Sequence, residues 1–151
     1  MSLQIYINEN GLSAEIISID APTSTVEESA KALGCYPENI VKSIVVKDKM
    51  EQFYLVILQG DRKIKTSKLK KILLVKDVKL ASPEEVKANT GYKVGDIPPI
   101  SVELSVIMDE LVLNQKRVYA GGGAPQKNLF SSIDELLDST NPLIADISIP
   151  V

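Results

Sequence analysis

The chain has 151 residues, of which 44% are hydrophobic and 25% charged, and its formal net charge is −3. A chain of this length can bury most of a compact core as a single domain, 1–151, without disulfides or metals. No apolar stretch approaches the roughly 20 residues needed to span a bilayer, and no signal-peptide pattern opens the sequence. Together with the single cysteine, these features predict a cytoplasmic protein without a membrane partner.

Histidine is absent from the sequence, which removes the side chain most often used for proton transfer near neutral pH. Ser-His-Asp and Cys-His catalytic groups are therefore excluded. With only Cys35 available, the usual zinc ligand sets cannot form within one chain. A carboxylate site for magnesium is formally open, but we expect neither a metal nor another cofactor. Any catalysis must rely on Lys, Asp, Glu, Ser, Thr, Tyr, backbone amides or the substrate itself.

Basic residues are concentrated in one segment, where only Asp61 and Asp77 oppose them. Eight of the 17 Lys and Arg residues lie there, namely Arg62, Lys63, Lys65, Lys68, Lys70, Lys71, Lys76 and Lys79. Such a cluster could attract the phosphate backbone of a nucleic acid. On charge alone, a lysine-rich helix face exposed to solvent is the commoner explanation.

The first half of the chain predicts helices and strands in alternation. Residues 3–10 fit a helix or a strand, and we favour a helix ended by Asn10-Gly11, followed by a strand over 14–20. A capping box of Thr25 and Glu28 begins the next helix, and Gly34 ends it. The β-branched runs 40–47 and 53–59 flank a charged turn and predict a hairpin.

The second half continues this alternation. A helix capped by Thr66 or Ser67 would turn its apolar side chains, Leu69, Ile72 and Leu73, inward and its lysines outward. A strand over 78–81 precedes a helix that runs from Ser82 to Gly91, and further strands are predicted at 102–108, 116–120 and 129–131, before a last helix capped by Ser132. We therefore expect an α/β domain of the α+β type, whose mixed, largely antiparallel sheet, open or barrel-like, is surrounded by helices.

Lys42 is the most unusual residue of the predicted strands. Strand alternation places it on the same face as Ile40, Ile44 and Val46, so that a charge interrupts an apolar stripe. Lysine rarely enters a core unpaired, because burial disfavours its charged form. Lys42 therefore either reaches a pocket or extends along the strand to the surface, and the pattern alone favours the surface.

Two loops carry further signals. Gly95 to Pro99 must form a stiff connection, because its two prolines lack backbone donors and glycine permits unusual conformations. The triple glycine 121–123 is either a flexible turn or a close backbone approach to a ligand, with amides free to bind an anion. Neither the dinucleotide fingerprint nor the phosphate-binding loop of nucleotide hydrolases is present.

Taken together, these segments resemble the YbaK/ProX family of aminoacyl-tRNA deacylases, which includes free-standing relatives of the editing domain of bacterial prolyl-tRNA synthetase. The resemblance extends from about Pro22 to Leu137. It is carried in order by TVEESAKALG at 25–34, IVKS at 40–43, GDRK at 60–63, ASPEEV at 81–86, TGY at 90–92, GDIPP at 95–99 and GGG at 121–123. The order and spacing of these landmarks are more specific than any one of them.

The resemblance implies a role for each landmark. Lys42 corresponds to the family's essential, catalytic lysine, the 95–99 loop to the segment that holds the aminoacyl end, and the triple glycine to a pocket-lining turn. Asp96, Ile100-Ser101 and Asn128 differ from what many relatives carry at or near these positions. The implied substrate-binding residues are Ser43, Gly95, Asp96, Ile97, Pro98, Pro99, Gly121, Gly122, Gly123 and Asn128.

The resemblance also implies the reaction, the hydrolysis of mischarged aminoacyl-tRNA, with tRNA-Pro as the expected carrier. An aminoacyl ester is already activated, so positioning a water and stabilising the oxyanion can suffice without histidine. In this hypothesis Lys42 holds the ester carbonyl or the terminal phosphate, backbone amides stabilise the oxyanion, and the tRNA's ribose hydroxyl or a free amine assists proton transfer. The expected tRNA contacts are Lys65, Lys68, Lys70 and Lys71.

Two other functions remain open from the sequence. The same fold could serve as a non-catalytic module that binds tRNA or a synthetase, or it could bind a free amino acid or another small ligand. Prolyl-tRNA synthetase is a candidate partner, DNA is not expected as one, and the sequence does not indicate an oligomeric state.

Overall fold

The computed structural model describes residues 2–151. Its helices are α1 (Leu3–Glu9), α2 (Val26–Leu33), α3 (Thr66–Leu73), α4 (Pro83–Thr90) and α5 (Ile133–Thr140). Its strands are β1 (Glu15–Ser18), β2 (Val41–Asp48), β3 (Phe53–Gln59), β4 (Arg62–Ile64), β5 (Val78–Leu80), β6 (Ser105–Asp109), β7 (Arg117–Gly121), β8 (Lys127–Ser132), β9 (Leu143–Ala145) and β10 (Ser148–Pro150).

The strands form a mixed sheet and two smaller antiparallel ones. The five-stranded sheet has the order β5-β2-β3-β6-β9, in which β5, β2 and β3 are antiparallel neighbours and β3, β6 and β9 are parallel ones. A three-stranded sheet has the order β1-β8-β7, and β4 pairs with β10. Within residues 2–151 no sheet closes into a barrel. The predicted α+β class with mixed strand pairing is confirmed, in its open form. Five of the seven strand pairings within residues 2–151 are antiparallel, although the five-stranded sheet has two of each kind.

Strand β3 lies in the centre of the five-stranded sheet, and both of its faces are buried. Its residues Leu55, Val56, Ile57 and Leu58 are all fully buried, alternating between two apolar clusters on opposite faces of the sheet. A continuous apolar run is what a strand covered on both faces requires. Helix α3 covers one face of the sheet through Leu69.

Capping explains most of the helix boundaries. Thr25 and Ser82 form the predicted capping boxes of α2 and α4, and Gly34 and Gly91 end these helices in the left-handed conformation, with φ of 69° and 81°. The prediction for α3 is wrong in two details. Its N-cap is Lys65, which makes no side-chain capping bond, and Ile72 is exposed because only Leu69 and Leu73 reach the apolar cluster.

The two larger sheets approach each other at the start of β2. An isolated parallel bridge joins Ile40 to Tyr119 of β7, so β2 and β7 run side by side there. A cavity that forms the candidate site opens at this junction. No helix within residues 2–151 has the length and apolar character that crossing a membrane would require.

Candidate active site

A cavity of about 640 Å³ lies at the junction of β2 and β7. One wall is the beginning of β2, including Lys42 and Ser43, and a second comes from the start of α2 and the segment before it. The third wall is the 93–97 loop together with the β7–β8 turn. Segments distant in sequence thus enclose a volume within the range of small-molecule sites.

Lys42 is fixed at this cavity by strand pairing. It stands opposite Leu58 of β3, and alternation puts it on the face of β2 that carries Ile44 and Val46. Its side chain is partly buried and lines the cavity, and its ammonium donates to the carbonyl oxygen of Gly60 at 3.4 Å. The lysine therefore reaches a pocket, the less favoured of the two interpretations that the pattern allowed.

The charge on Lys42 is not neutralised by a direct partner. Burial lowers the pKa of the ammonium, while the more distant charges of Asp61 and Glu27 raise it. None of the ion pairs within 4.0 Å in residues 2–151 involves Lys42. The cavity wall therefore holds a partly desolvated cation that can bind an anion or a carbonyl oxygen.

Gly60 belongs to the 60–63 landmark, but the sequence-based reasoning gave it no role at the site. A Cβ at this position would lie 2.8 Å from Cγ1 of Val26, so only glycine lets α2 approach the end of β3 this closely. Its amide donates to the oxygen of Ile40 at 2.7 Å. A glycine directly after an apolar strand is a signal for such an approach, and it could have indicated that α2 supplies a wall of the site.

The 95–99 loop and the triple glycine bind each other. The amide of Gly123 donates to the carbonyl oxygen of Asp96 at 2.9 Å, and a Cβ on Gly121 would collide with the carbonyl oxygen of Ile97. Gly122 donates its amide to the oxygen of Lys127 at 3.0 Å. The interpretation of this turn as a set of free amides is therefore wrong for Gly122 and Gly123, whose amides fix the third wall.

The structure brings together most of the expected site residues. Around the cavity with Lys42 are Ser43, Gly95, Asp96, Ile97, Gly121 and Asn128. Pro98, Gly122 and Gly123 do not line it. Pro99 lines a separate cavity of about 550 Å³, because the chain turns into the core over 97–100, where every residue is buried.

Two polar side chains at the cavity have unused hydrogen-bonding capacity. The hydroxyl oxygen of Ser43 and the side-chain nitrogen of Asn128 are buried and have no hydrogen-bond partner within residues 2–151. Asn128 as a whole is only 9% exposed. Buried polar groups are paired in most proteins, so these two atoms are candidate hydrogen-bonding groups for a ligand of the cavity.

Segments without a predicted role also contribute to the cavity. Residues 22–25, Ser29, Lys93, Val94 and 124–127 line it as well. Ser29 donates its hydroxyl to the oxygen of Thr23 at 3.2 Å, which holds the 22–25 segment against α2. Thr25 and Ser29 belong to the predicted helix α2 and its cap, but neither they nor the loop residues carry a local pattern that indicates a cavity.

The basic residues form a separate surface on α3. A shallow cavity of about 440 Å³ is lined there by Ser67, Lys68, Lys70, Lys71, Val75 and Lys76. Lys68 is bound by Asp146 at 2.9 Å, and Arg62 by the hydroxyl and carbonyl oxygens of Ser148. Lys65 is exposed at the N-cap of α3.

Nowhere in residues 2–151 do three His, Cys, Asp or Glu side chains form a group that could hold a metal ion.

Comparison with known proteins matches the chain to a family model and to proline–tRNA ligases. A family model described as an aminoacyl-tRNA editing domain matches residues 20–139. A proline–tRNA ligase of Thermotoga sp. (strain RQ2) is 36% identical over 98 residues, which are 65% of this chain but only 17% of that ligase.

Two solved structures are similar over nearly their whole length. A hypothetical protein is 34% identical with a TM-score of 0.90, and the match covers 97% of this chain and 99% of that one. A candidate trans-editing enzyme for prolyl-tRNA synthetase is 29% identical with a TM-score of 0.90, covering 97% and 94%.

Proposed function

Because the chain belongs to the family of aminoacyl-tRNA editing domains, we propose that it is a trans-acting deacylase that hydrolyses the ester of mischarged tRNA. The observation that carries the proposal is the position of Lys42, a partly buried ammonium on the wall of a cavity. Among residues 2–151 no carboxylate lies within 4.0 Å of it. An ester carbonyl that gains negative charge during hydrolysis is stabilised by such a fixed charge.

In the proposed reaction water attacks the carbonyl carbon of the aminoacyl ester. The bond between that carbon and the ribose oxygen then breaks, the ribose oxygen takes a proton, and the products are the free amino acid and tRNA. Lys42 holds the carbonyl oxygen or the terminal phosphate and positions the ester. Since the chain has no histidine, the proton transfer is assigned to the ribose hydroxyl of the tRNA or to a free amine.

The oxyanion donors must come from amides other than those of Gly122 and Gly123, which are already bonded within the protein. Gly121 and the 95–97 loop line the cavity directly. Their backbones are held by the contact between the loop and the β7–β8 turn. Such preorganisation is what electrostatic stabilisation of a transition state requires.

The expected carrier is tRNA-Pro. The proposal is supported by the similarity to a 98-residue part of a proline–tRNA ligase and to a candidate trans-editing enzyme for prolyl-tRNA synthetase. Because the chain matches only 17% of the ligase, the remaining functions of that protein are not carried over. Prolyl-tRNA synthetase itself is a proposed partner.

The surface of α3 is the proposed contact for the tRNA backbone. Lys65, Lys70 and Lys71 make no ion pair within 4.0 Å in the described chain, whereas Lys68 is already paired with Asp146. Unpaired lysines on one surface can neutralise phosphates and release counterions. This surface is also what a non-catalytic tRNA-binding module would use, so turnover must decide between the two functions.

A deacylation panel tests the proposal. The purified protein is incubated with tRNA-Pro and with other tRNAs, each carrying a labelled incorrect amino acid, and release of the amino acid is followed over time. We expect multiple turnovers on at least one mischarged tRNA-Pro and slower release from correctly charged prolyl-tRNA. Binding of these tRNAs without release from any of them would establish the non-catalytic alternative instead.

A further inference from the structure

Asp96 is an acidic residue that lines the Lys42 cavity, and the proposed hydrolysis assigns no role to its carboxylate. The side chain is partly buried. Within residues 2–151 no Lys or Arg nitrogen lies within 4.0 Å of it. Burial raises the pKa of the carboxyl group, and the charge of Lys93 acts in the opposite direction. A partly desolvated carboxylate without a partner is stabilised by a cationic group of a ligand.

The backbone of Asp96 is held on both sides. Its carbonyl oxygen accepts the amide of Gly123 at 2.9 Å, and its own amide donates to the oxygen of Lys93 at 3.0 Å. The next residue, Ile97, packs its carbonyl group against Gly121. The carboxylate therefore extends from a fixed point of the wall, as a specific binding group must.

The charges of Lys42 and Asp96 do not neutralise each other. The carboxylates that act on the Lys42 ammonium are those of Asp61 and Glu27, and the cation that acts on Asp96 is Lys93. The cavity thus has a cation on β2 and a carboxylate residue, Asp96, on the 93–97 loop, which also contributes Lys93. An aminoacyl ester has the complementary pattern, a carbonyl oxygen and an α-amine whose ordinary pKa of about 8 keeps it largely protonated near neutral pH.

We propose that the Asp96 carboxylate binds the α-ammonium group of the aminoacyl ester and so restricts the site to amino acids with a free α-amine. The inference rests on the proposed function, because it assumes that the cavity receives the aminoacyl end of tRNA. The α-ammonium donates to the carboxylate while Lys42 holds the carbonyl oxygen, so both residues orient the ester. A protonated α-amine cannot accept a proton, so in this arrangement the proton transfer falls to the ribose hydroxyl of the tRNA. Blocking the amine removes the positive charge and adds bulk against the 93–97 loop.

A binding cycle with stable substrate mimics tests the inference. The probes are 3′-alanylamido-3′-deoxyadenosine, whose amide resists hydrolysis, and the same compound with an N-acetylated α-amine. For the wild-type protein we expect N-acetylation to weaken binding about tenfold or more, the usual effect of losing a charged hydrogen bond. For Asp96→Asn we expect the free-amine probe to bind as weakly as the acetylated one.

The matched control is Asp20→Asn, which removes an exposed carboxylate that lies two residues before the lining segment 22–25 and does not itself line the cavity. This variant should keep the full penalty for N-acetylation. An equal penalty in wild type and Asp96→Asn would overturn the inference, and so would a wild-type protein that does not bind the free-amine probe. An acetylation penalty that disappears in Asp20→Asn as well would also overturn it.

The same cycle with mischarged tRNA separates this inference from the proposed function. Loss of kcat/KM by the same factor for free and N-acetylated substrates in Asp96→Asn would indicate a general base or a structural role, and would overturn amine recognition. If no tRNA is deacylated at all, the proposed function fails. The binding cycle with the adenosine probes still decides the role of Asp96.

Discussion

The ammonium of Lys42 is held by a backbone carbonyl, that of Gly60, at 3.4 Å. A carboxylate in that place would form an ion pair and offset the positive charge of the lysine with a negative one. The carbonyl group orients the ammonium while leaving it cationic, and glycine is required there because α2 packs against the same residue. Gly60 thus orients the ammonium of Lys42 and lets α2, whose first residue Val26 lines the cavity, pack close to the end of β3.

Replacing Lys42 with methionine should abolish deacylation without unfolding the protein. Methionine retains most of the apolar stem and removes a partly buried charge, so we expect the free energy of unfolding to change by no more than about 1 kcal/mol. The rate of amino acid release and urea denaturation measure the two effects. Lys116→Met, at an exposed lysine before β7, is the control and should retain activity. Turnover by Lys42→Met at the wild-type rate would refute the mechanism.

Acid should weaken the protein through Glu85. Lys47 donates to its carboxylate at 2.5 Å, and this hydrogen bond, with that from the backbone of Ser82, lowers the pKa of Glu85 from 4.5 to about 2. Because the folded-state pKa is the lower one, the contribution to stability is complete above pH 4.5 and is lost as the pH falls towards about 2. Glu85→Gln, which keeps an acceptor for the cap of α4, should therefore lose less stability over this range.

Urea midpoints measured between about pH 6 and about pH 2.5 test this expectation. Glu84→Gln is the matched control, because Glu84 is an exposed carboxylate in the same helical turn and no lysine of the described residues lies within 4.0 Å of it. Its curve should follow that of the wild type. Parallel curves for wild type and Glu85→Gln would show that the pair with Lys47 carries no acid-sensitive stability.

Local signals in the sequence predicted the elements whose causes are local. The capping residues Thr25 and Ser82, together with Gly34 and Gly91, fix α2 and α4 through hydrogen bonds and φ angles within a few residues. The strands β4, β9 and β10 were not predicted. Each has three residues and depends on a partner far along the chain, such as the pairing of Arg62–Ile64 with Ser148–Pro150.

For the candidate site, the sequence indicated most of the expected residues that line the cavity, but not how their segments contact one another. The apolar alternation around Lys42 exposed an anomaly, and the family resemblance gave it a role. That the 95–99 loop binds the triple glycine, and that α2 closes the cavity, follow from backbone contacts between distant segments. Such contacts leave no periodic pattern in the amino-acid sequence, so they could not be predicted from it. Among the implied residues Pro98 and Pro99 are buried, and their position fits the turn of the chain into the core.

The lysines of α3 should contribute to tRNA affinity in a salt-dependent way. Replacing Lys70 and Lys71 together with alanine should weaken binding of tRNA and reduce the slope of log K against log salt by about one to two. Lys68→Ala should have a smaller effect, because its ammonium is already bound by Asp146 at 2.9 Å. Fluorescence anisotropy at several salt concentrations measures the slope, with Lys116→Ala as the control. An unchanged slope in the double variant would place the tRNA elsewhere.

The contact between Gly121 and Ile97 should be essential for the shape of the cavity. A methyl group at position 121 would collide with the carbonyl oxygen of Ile97, so Gly121→Ala should displace the loop that carries Asp96 and destabilise the protein by about 1–3 kcal/mol. Deacylation should fall further than this loss of stability explains. The control is Gly11→Ala, where φ is +61° and nothing lies within 4 Å of the added Cβ. That backbone strain costs about 1–2 kcal/mol without touching the loop, so activity measured well below the melting temperature should remain. Equal activity of the two variants would show that the loop tolerates displacement.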